Sequence, residues 1–242
     1  MPIRFSAFGR VFAPSWPITL LTVALLVAFL GLGHWQWQRG EAKQQVWAEF
    51  ERDGSAEKLG SRAFDDIPRF ARIEITGHFQ PWQQFLLDNM SHAGQPGYEV
   101  LTPFVLVDGR RTLVNRGWVP FGGYRDRLPD VSLRDPGEVT ITARIDELPS
   151  GGLASGHAAP EAGARWPKLT SFPVQTELET ALGTKLQRRV LLLDAQVPYG
   201  YVREWTPPGL PPERHLSYAI QWWGFALVLL VLYFGLNFRK VP

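Results

Sequence analysis

Residues 16–37, WPITLLTVALLVAFLGLGHWQW, form an apolar stretch without a single charged side chain. A second such stretch, LSYAIQWWGFALVLLVLYFGLNF, occupies residues 216–238 near the other end of the chain. Each stretch is longer than the ~20 apolar residues that a helix needs to cross a bilayer. The two stretches therefore predict two transmembrane helices. The alternative is one membrane span and one buried helix.

Basic residues flank both stretches and indicate their orientation. Arg4 and Arg10 precede the first stretch, and Arg239 and Lys240 follow the second. Short basic flanks favour the cytoplasmic side of a membrane, so both termini are predicted to lie inside and the segment between the helices outside. Bulky aromatic residues stand where a signal peptidase needs small ones, which favours an uncleaved anchor.

The charge balance differs between the flanks and the segment between them. The protein has 242 residues, of which 25 are basic and 23 acidic. Removing the four basic flanking residues leaves 21 basic against 23 acidic, so the exported segment is nearly neutral and no nucleic-acid partner is predicted. The predicted organisation is a cytoplasmic segment 1–15, a transmembrane helix 16–37, a periplasmic β-rich domain 38–214, a transmembrane helix 215–238 and a cytoplasmic tail 239–242.

Strand signals dominate the segment between the two spans. Alternating or continuous apolar residues predict strands, which are placed at residues 71–76, 139–145 and 190–193. Asp108-Gly109 between two apolar runs predicts a hairpin with a tight type I′ turn. The predicted fold class is therefore a membrane protein of α+β type, in which two transmembrane helices flank a mainly antiparallel β exported domain with short helices.

Three further segments of the exported part have recognisable patterns. Apolar residues at helical spacing continue the first helix as a stalk as far as Gly54. Residues 173–182 predict one short helix, with a proline in its first turn and Gly183 as its end. Residues 149–167, rich in Gly, Ala, Ser and Pro, predict a mobile loop.

Few residues of the chain carry recognisable chemistry. The protein has no cysteine, which excludes thiolate metal sites, CxxC redox pairs and cysteine nucleophiles. No phosphate-binding loop, GxSxG or HExxH motif occurs. Histidines 78, 92 and 157 are expected at the surface. Asn115-Arg116-Gly117-Trp118 follows a strand, and we expect Arg116 to pair with an acidic residue and Trp118 to be buried; the alternative is a ligand site.

His215 stands at the predicted outer end of the second span. On a helix it shares a face with Tyr218 or Ala219, with Trp222, and with Phe225 or Ala226. This face could hold a flat porphyrin with the histidine as axial ligand. The alternative is that His215 marks the membrane interface and the aromatic residues form a belt there.

Four motifs resemble those of the surfeit-locus-1 family of cytochrome c oxidase assembly proteins. They are LGHWQWQR at 32–39, LDN at 87–89 running into GYEVLTP at 97–103, LVNRGWVP at 113–120, and HLSYAIQW at 215–222. The motifs occur in the family's order along nearly the whole chain. The asparagine that usually precedes the last histidine is Arg214 here, and residues 149–198 resemble the family less clearly.

The resemblance implies a non-catalytic assembly factor in a bacterial inner membrane that helps to place haem a in subunit I of cytochrome c oxidase. It implies haem a as a transiently bound cofactor, with His215 as the cofactor-binding residue and metal ligand. Oxidase subunit I and the lipid bilayer are the expected partners, with haem A synthase as a further candidate. His34, at the outer end of the first span, is a candidate second ligand. Two other classes of function remain open, an accessory structural subunit of a respiratory complex and a membrane-anchored hydrolase.

Overall fold

The computed structural model describes residues 5–7, 10–52, 54–124, 127–150 and 156–240. Its elements in chain order are β1 (Phe5–Ala7), β2 (Arg10–Phe12), α1 (Trp16–Glu51), β3 (Glu57–Lys58), a 3₁₀ turn (Phe64–Asp66), β4 (Arg72–Phe79), β5 (Phe85–His92), β6 (Gln95–Leu106), β7 (Arg111–Pro120), β8 (Glu138–Asp146), β9 (Lys168–Thr170), α2 (Gln175–Leu182), β10 (Val190–Leu193), α3 (Pro212–Asn237) and β11 (Phe238–Lys240). The chain divides into two units, one formed by its two ends as far as Arg52 and from Pro207, the other by residues 53–206.

The unit formed by the chain ends is built on two long apolar helices, α1 and α3. Only 11% of the most apolar segment of each helix is buried, whereas the core helix of a soluble protein is mostly buried. Large apolar side chains such as Leu20, Val27 and Leu227 are exposed instead. Strand β2 pairs antiparallel with both β1 and β11, so the two ends of the chain share a small sheet.

The unit of residues 53–206 is a β-barrel with additional strands. Its sheet has the order β3-β4-β8-β10-β7-β6-β5-β9, and β4 also pairs with β6, which closes a barrel of β4, β8, β10, β7 and β6. Most pairs are antiparallel, while β10 with β7, β5 with β9 and β3 with β4 are parallel. Closure occurs at Gly77, where a side-chain carbon would collide with the Val105 carbonyl.

Three apolar clusters form the core of this unit. The largest fills the barrel and includes Ile73, Phe104 and Leu191. The second lies on the outer face of the sheet, where α2 contributes Leu178 and Leu182. The alternation of apolar and polar residues along β4 and β8 thus places one face of each strand inside the barrel.

Most of the elements predicted between the two apolar stretches are confirmed. The three predicted strands correspond to β4, β8 and β10, and the predicted stalk is the last part of α1. The short helix begins at Gln175, two residues later than predicted, because Val174 is still extended. It ends at Gly183, whose φ of 68° is left-handed. Residues 151–155 of the predicted mobile loop lie outside the described residues.

The type I′ turn predicted at Asp108-Gly109 is wrong. The Leu106 N–H donates to the Arg110 carbonyl, and the Gly109 N–H donates back to the Leu106 carbonyl at 2.9 Å. The loop therefore has three residues, of which Gly109 takes the left-handed conformation with a φ of 86°. This is a turn followed by a glycine bulge, a hairpin geometry that also suits an Asp-Gly sequence.

Candidate functional site

The two apolar helices pack closely because small residues face the partner helix. An added side-chain carbon at Gly33 would collide with the Trp223 indole, and one at Gly40 would lie 3.4 Å from His215 Cβ. On α3, Ala219 is 0% exposed and lies one turn after His215. These contacts define an antiparallel pair in which His215 sits against α1 at the level of Gly40.

His215 makes a polar contact across this helix pair. Its Nδ1 lies 2.9 Å from Oε1 of Gln36, and both side chains are half-buried. With the Gln36 oxygen as acceptor, the His215 Nδ1 carries the proton and donates it. The lone pair of a neutral imidazole then lies on Nε2, the form in which histidine binds a metal.

A second polar contact lies near the other end of the helix pair. Thr19 Oγ1 is 2.8 Å from the Tyr233 hydroxyl. At 1.5 Å rise per residue, Thr19 and Gln36 are about 26 Å apart along α1. That separation approaches the ~30 Å hydrocarbon thickness of a bilayer. The two polar contacts therefore lie close to the two ends of the apolar zone.

The face of α3 that could hold a porphyrin is used in part by helix packing. Ala219 and Ala226 are both buried. The Trp222 ring stacks on Phe29 of α1, with ring centroids 5.8 Å apart. Tyr218 remains exposed beside His215. The end of this face around His215 is therefore open to a flat ligand, and Phe225 further along the face is also exposed.

His34 lies on a different face of α1 from Gln36, the residue that contacts His215. It is exposed, and it precedes Gln36 by two residues, which is about 200° around the helix. The structure thus brings Gln36, not His34, to His215.

A shallow cavity of about 140 Å³ lies beside His215 and is lined by Trp37, Gly40, Glu41, Gln44, Pro212, Glu213 and Leu216. It is smaller than the ~300–1,000 Å³ of typical ligand pockets.

Arg116 of the Asn-Arg-Gly-Trp block is buried in the β-rich unit, with 3% of its surface exposed. Its Nε donates to the Tyr199 carbonyl at 2.6 Å, and its Nη1 donates to Gln84 Oε1 at 2.7 Å. The guanidinium also lies over the Tyr201 ring, 5.0 Å from its centroid. Burial lowers the pKa of Arg116. Among the described residues its partners are neutral, so the expected pairing with an acidic residue is not observed there.

The other three residues of the block hold neighbouring segments in place. Asn115 Nδ2 donates to Glu99 Oε2 at 2.6 Å. Burial raises the pKa of that carboxyl, and the hydrogen bond from Asn115 opposes the increase. Gly117 has a φ of 107°. The backbone N–H of Trp118 donates to the Val202 carbonyl at 2.8 Å. Trp118 is 9% exposed, which confirms its predicted burial.

The remaining sequence-based expectations concern the histidines of the β-rich unit. His78 and His157 are exposed as expected. His92 is half-buried, because its ring packs 5.2 Å from that of Trp118. Across the part of the chain that the structure describes, no three His, Asp or Glu side chains form a group that could hold a metal ion. A metal at His215 would therefore need its other ligands from a cofactor or a partner.

Sequence reasoning missed two residues, Gln36 and Gln84. Gln84 lies beyond any recognised motif, and its side chain meets Arg116 only through the fold. Gln36 did carry a signal, since it lies three residues after Gly33 and four before Gly40, on the helix face with the smallest side chains. A polar residue on that face of an apolar helix indicates a partner on the neighbouring helix.

Comparison with known proteins gives consistent matches along this chain. A family model described as the SURF1 family matches residues 23–227, a range that contains all four motifs. A SURF1-like protein of Monosiga brevicollis is 27% identical over 86% of this chain and 82% of its own length. A SURF1-like protein of Rickettsia felis (strain ATCC VR-1525 / URRWXCal2) is 24% identical over 89% of this chain and 93% of its own.

Proposed function

Because the chain belongs to the SURF1 family, known broadly as cytochrome oxidase assembly factors, we propose that it assists delivery or insertion of haem a into subunit I of cytochrome c oxidase. The family match confirms the resemblance identified from the four motifs. In this proposal the protein performs no chemical step itself. The observation that supports it best is the half-buried His215, whose Nδ1 contacts Gln36 and whose Nε2 is left for a ligand.

The proposed location is a bacterial inner membrane, crossed by both apolar helices. The exposed apolar side chains of α1 and α3 support this placement, because water would disfavour so large an apolar surface. The basic flanks favour cytoplasmic termini and a periplasmic β-rich unit. Alkaline phosphatase fused after Gly54 should then be active, and the same reporter fused after Pro242 should be inactive. The reverse pattern would contradict the orientation.

The residues around His215 fit a histidine ligand of haem iron. A half-buried imidazole at the end of an apolar helix pair presents one nitrogen to a ligand and keeps the other in a hydrogen bond. A haem bound there would be held through its iron by His215 Nε2. The neighbouring cavity of about 140 Å³ is too small to enclose a macrocycle. The helix pair therefore offers a ligand at an open surface, an arrangement suited to transfer between partners such as haem A synthase and oxidase subunit I.

The test is His215→Ala in the full chain, with His78→Ala as the matched control because His78 is exposed on β4. Each variant is purified in detergent from cells that make haem a, and its absorption spectrum is recorded. We expect His215→Ala to remain in the membrane, to lose its Soret band and to lower the haem a content of the oxidase. Full haem retention by His215→Ala would contradict the site. Stoichiometric co-purification with mature oxidase would contradict an assembly role and favour a structural subunit.

A further inference from the structure

We propose that Gln36 is a positioning residue that sets the tautomer and orientation of the His215 imidazole. This inference deepens the proposed function and rests on it for the ligand that His215 binds. Its own evidence is the 2.9 Å contact between Gln36 Oε1 and His215 Nδ1, which joins residues 179 positions apart in the sequence.

The helix pair leaves the His215 side chain little freedom around this contact. Gly40, one turn after Gln36, brings the α1 backbone close to His215, because a side-chain carbon there would lie 3.4 Å from His215 Cβ. On α3, Ala219 is buried one turn after His215, where the two helices pack against each other. The imidazole thus stands between two closely packed helices, and the Gln36 amide is the polar group that it contacts in the described structure.

The chemistry of an amide oxygen determines the effect on the imidazole. A carboxamide oxygen only accepts hydrogen bonds, so it favours the tautomer with the proton on Nδ1. The lone pair is then on Nε2, the nitrogen that points away from Gln36. An acceptor on the second nitrogen of a metal-binding histidine orients the ring and increases its basicity. Removing such a group typically weakens metal binding about 10–100-fold.

The contact also explains a glutamine within an apolar stretch. A polar side chain in a nonpolar environment costs free energy unless it has a hydrogen-bonding partner. Gln36 is half-buried and has such a partner in His215, whereas Gln38, two residues later, is exposed. Gln38 therefore supplies a matched control of the same residue type on the same helix.

The first experiment needs no haem. Full-length protein with ¹⁵N-labelled histidine is studied in detergent by NMR at neutral pH, and the His215 signals are identified by their loss in His215→Ala. We expect the Nδ1–H tautomer in the unchanged protein and in Gln38→Leu. Gln36→Leu should shift His215 towards the Nε2–H tautomer, and Gln36→Glu should retain the Nδ1–H form. An unchanged tautomer in Gln36→Leu would overturn the inference.

The second experiment titrates haemin into the same purified variants and follows the Soret band. We expect Gln36→Leu to bind about 10–100-fold more weakly than the unchanged protein, and Gln38→Leu to bind equally well. Gln36→Glu should restore binding because it keeps an acceptor, which separates positioning from a general packing defect. Equal affinity in Gln36→Leu would overturn the inference and leave the proposed function standing. Equal affinity in His215→Ala would instead remove the site on which both rest.

Discussion

Arg116 in the barrel unit and His215 in the helix pair are both polar groups in apolar surroundings, and they differ in how far their hydrogen-bonding capacity is used. Arg116 is 3% exposed, donates to acceptors on two chain segments and has an aromatic ring against its guanidinium. His215 is half-buried and has one contact, through Nδ1. The first arrangement fixes neighbouring segments to each other, while the second leaves a nitrogen for an additional ligand.

This difference separates structural from functional use of polar residues. A buried cation is tolerated when neutral acceptors surround it, and each acceptor then depends on the cation for its hydrogen-bond donor. Gln84, which accepts from Arg116, also donates to the carbonyls of Pro81 and Val131. Such a cluster has little capacity for a ligand. The Asn-Arg-Gly-Trp block, although characteristic in sequence, is therefore part of the framework of the β-rich unit.

The largest expected effect comes from removing the cation of the barrel cluster. Arg116→Met leaves the Tyr199 carbonyl without its donor and leaves Gln84 Oε1 with Thr102 Oγ1 as its remaining donor. Each unsatisfied buried acceptor costs about 1–3 kcal/mol, and the substitution also removes the contact between the guanidinium and the Tyr201 ring. We expect a loss of about 3 kcal/mol in unfolding free energy and a lower amount of protein in the membrane. Thermal and urea unfolding in detergent would measure it. Arg134→Met, at an exposed position, is the control and should change stability by less than about 0.5 kcal/mol.

A functional role for the block would give a different result. Arg116→Met protein with normal abundance and normal melting, but with failed oxidase assembly, would make Arg116 part of a docking surface. Arg116→Lys sharpens the distinction, since an ammonium group cannot replace the two-pronged geometry of a guanidinium. We expect Arg116→Lys to be destabilised as well, to a smaller extent than Arg116→Met.

A smaller effect should follow from separating the two apolar helices. Gly33→Leu places a branched side chain against the Trp223 indole, and overpacking of this kind costs about 1–3 kcal/mol. The chain has no cysteine, so Gly40→Cys combined with His215→Cys can report helix contact directly. A Cβ atom added at Gly40 lies 3.4 Å from His215 Cβ, which is close to disulfide geometry.

We expect this cysteine pair to form a disulfide on mild oxidation, seen as a mobility shift on a non-reducing gel. Adding Gly33→Leu should reduce the yield several-fold. Gly31→Leu is the matched control, because a Cβ atom added at Gly31 has no neighbour within 4 Å outside its own stretch of helix backbone. An equal yield in both leucine variants would show that close approach at Gly33 does not hold position 215 of α3 against α1.

The two units also differ in how much of their structure the sequence could predict. The helices were identified because a long uncharged run is a local signal, and β4, β8 and β10 because their apolar patterns are local too. Barrel closure was missed because it depends on Gly77 of β4 meeting β6 across a long stretch of chain. The short strands β1, β2 and β11 were missed because three residues show no recognisable period.

The candidate site shows the same limit. His215 was selected as a candidate because it lies at the end of an apolar stretch and within a motif. Its role as haem ligand stays a prediction. Its contact with Gln36 could not be read from the sequence, because the register between two helices 179 residues apart is set by the packing of Gly33, Gly40 and Ala219. Local patterns identify the residue, and packing between distant segments determines what the residue can do.

The smallest expected effect concerns Glu179, a third polar group whose hydrogen-bonding capacity is largely used. Its carboxylate accepts from Lys185 Nζ at 2.7 Å, from the Leu186 N–H at 3.0 Å and from Gln175 Nε2 at 2.9 Å. These contacts, the Lys185 ammonium first, lower the pKa of Glu179 from 4.5 to about 2. Because the folded state holds the carboxylate in its charged form, the stabilisation is present above pH 4.5 and is lost as the pH falls towards 2.

The melting temperature of the unchanged protein should therefore fall over this window more than that of Glu179→Gln, by no more than about 4 °C. Glu161→Gln, at an exposed position, should follow the unchanged protein. Parallel curves for Glu179→Gln and the unchanged protein between pH 5 and 2 would show that these three contacts do not favour the charged form.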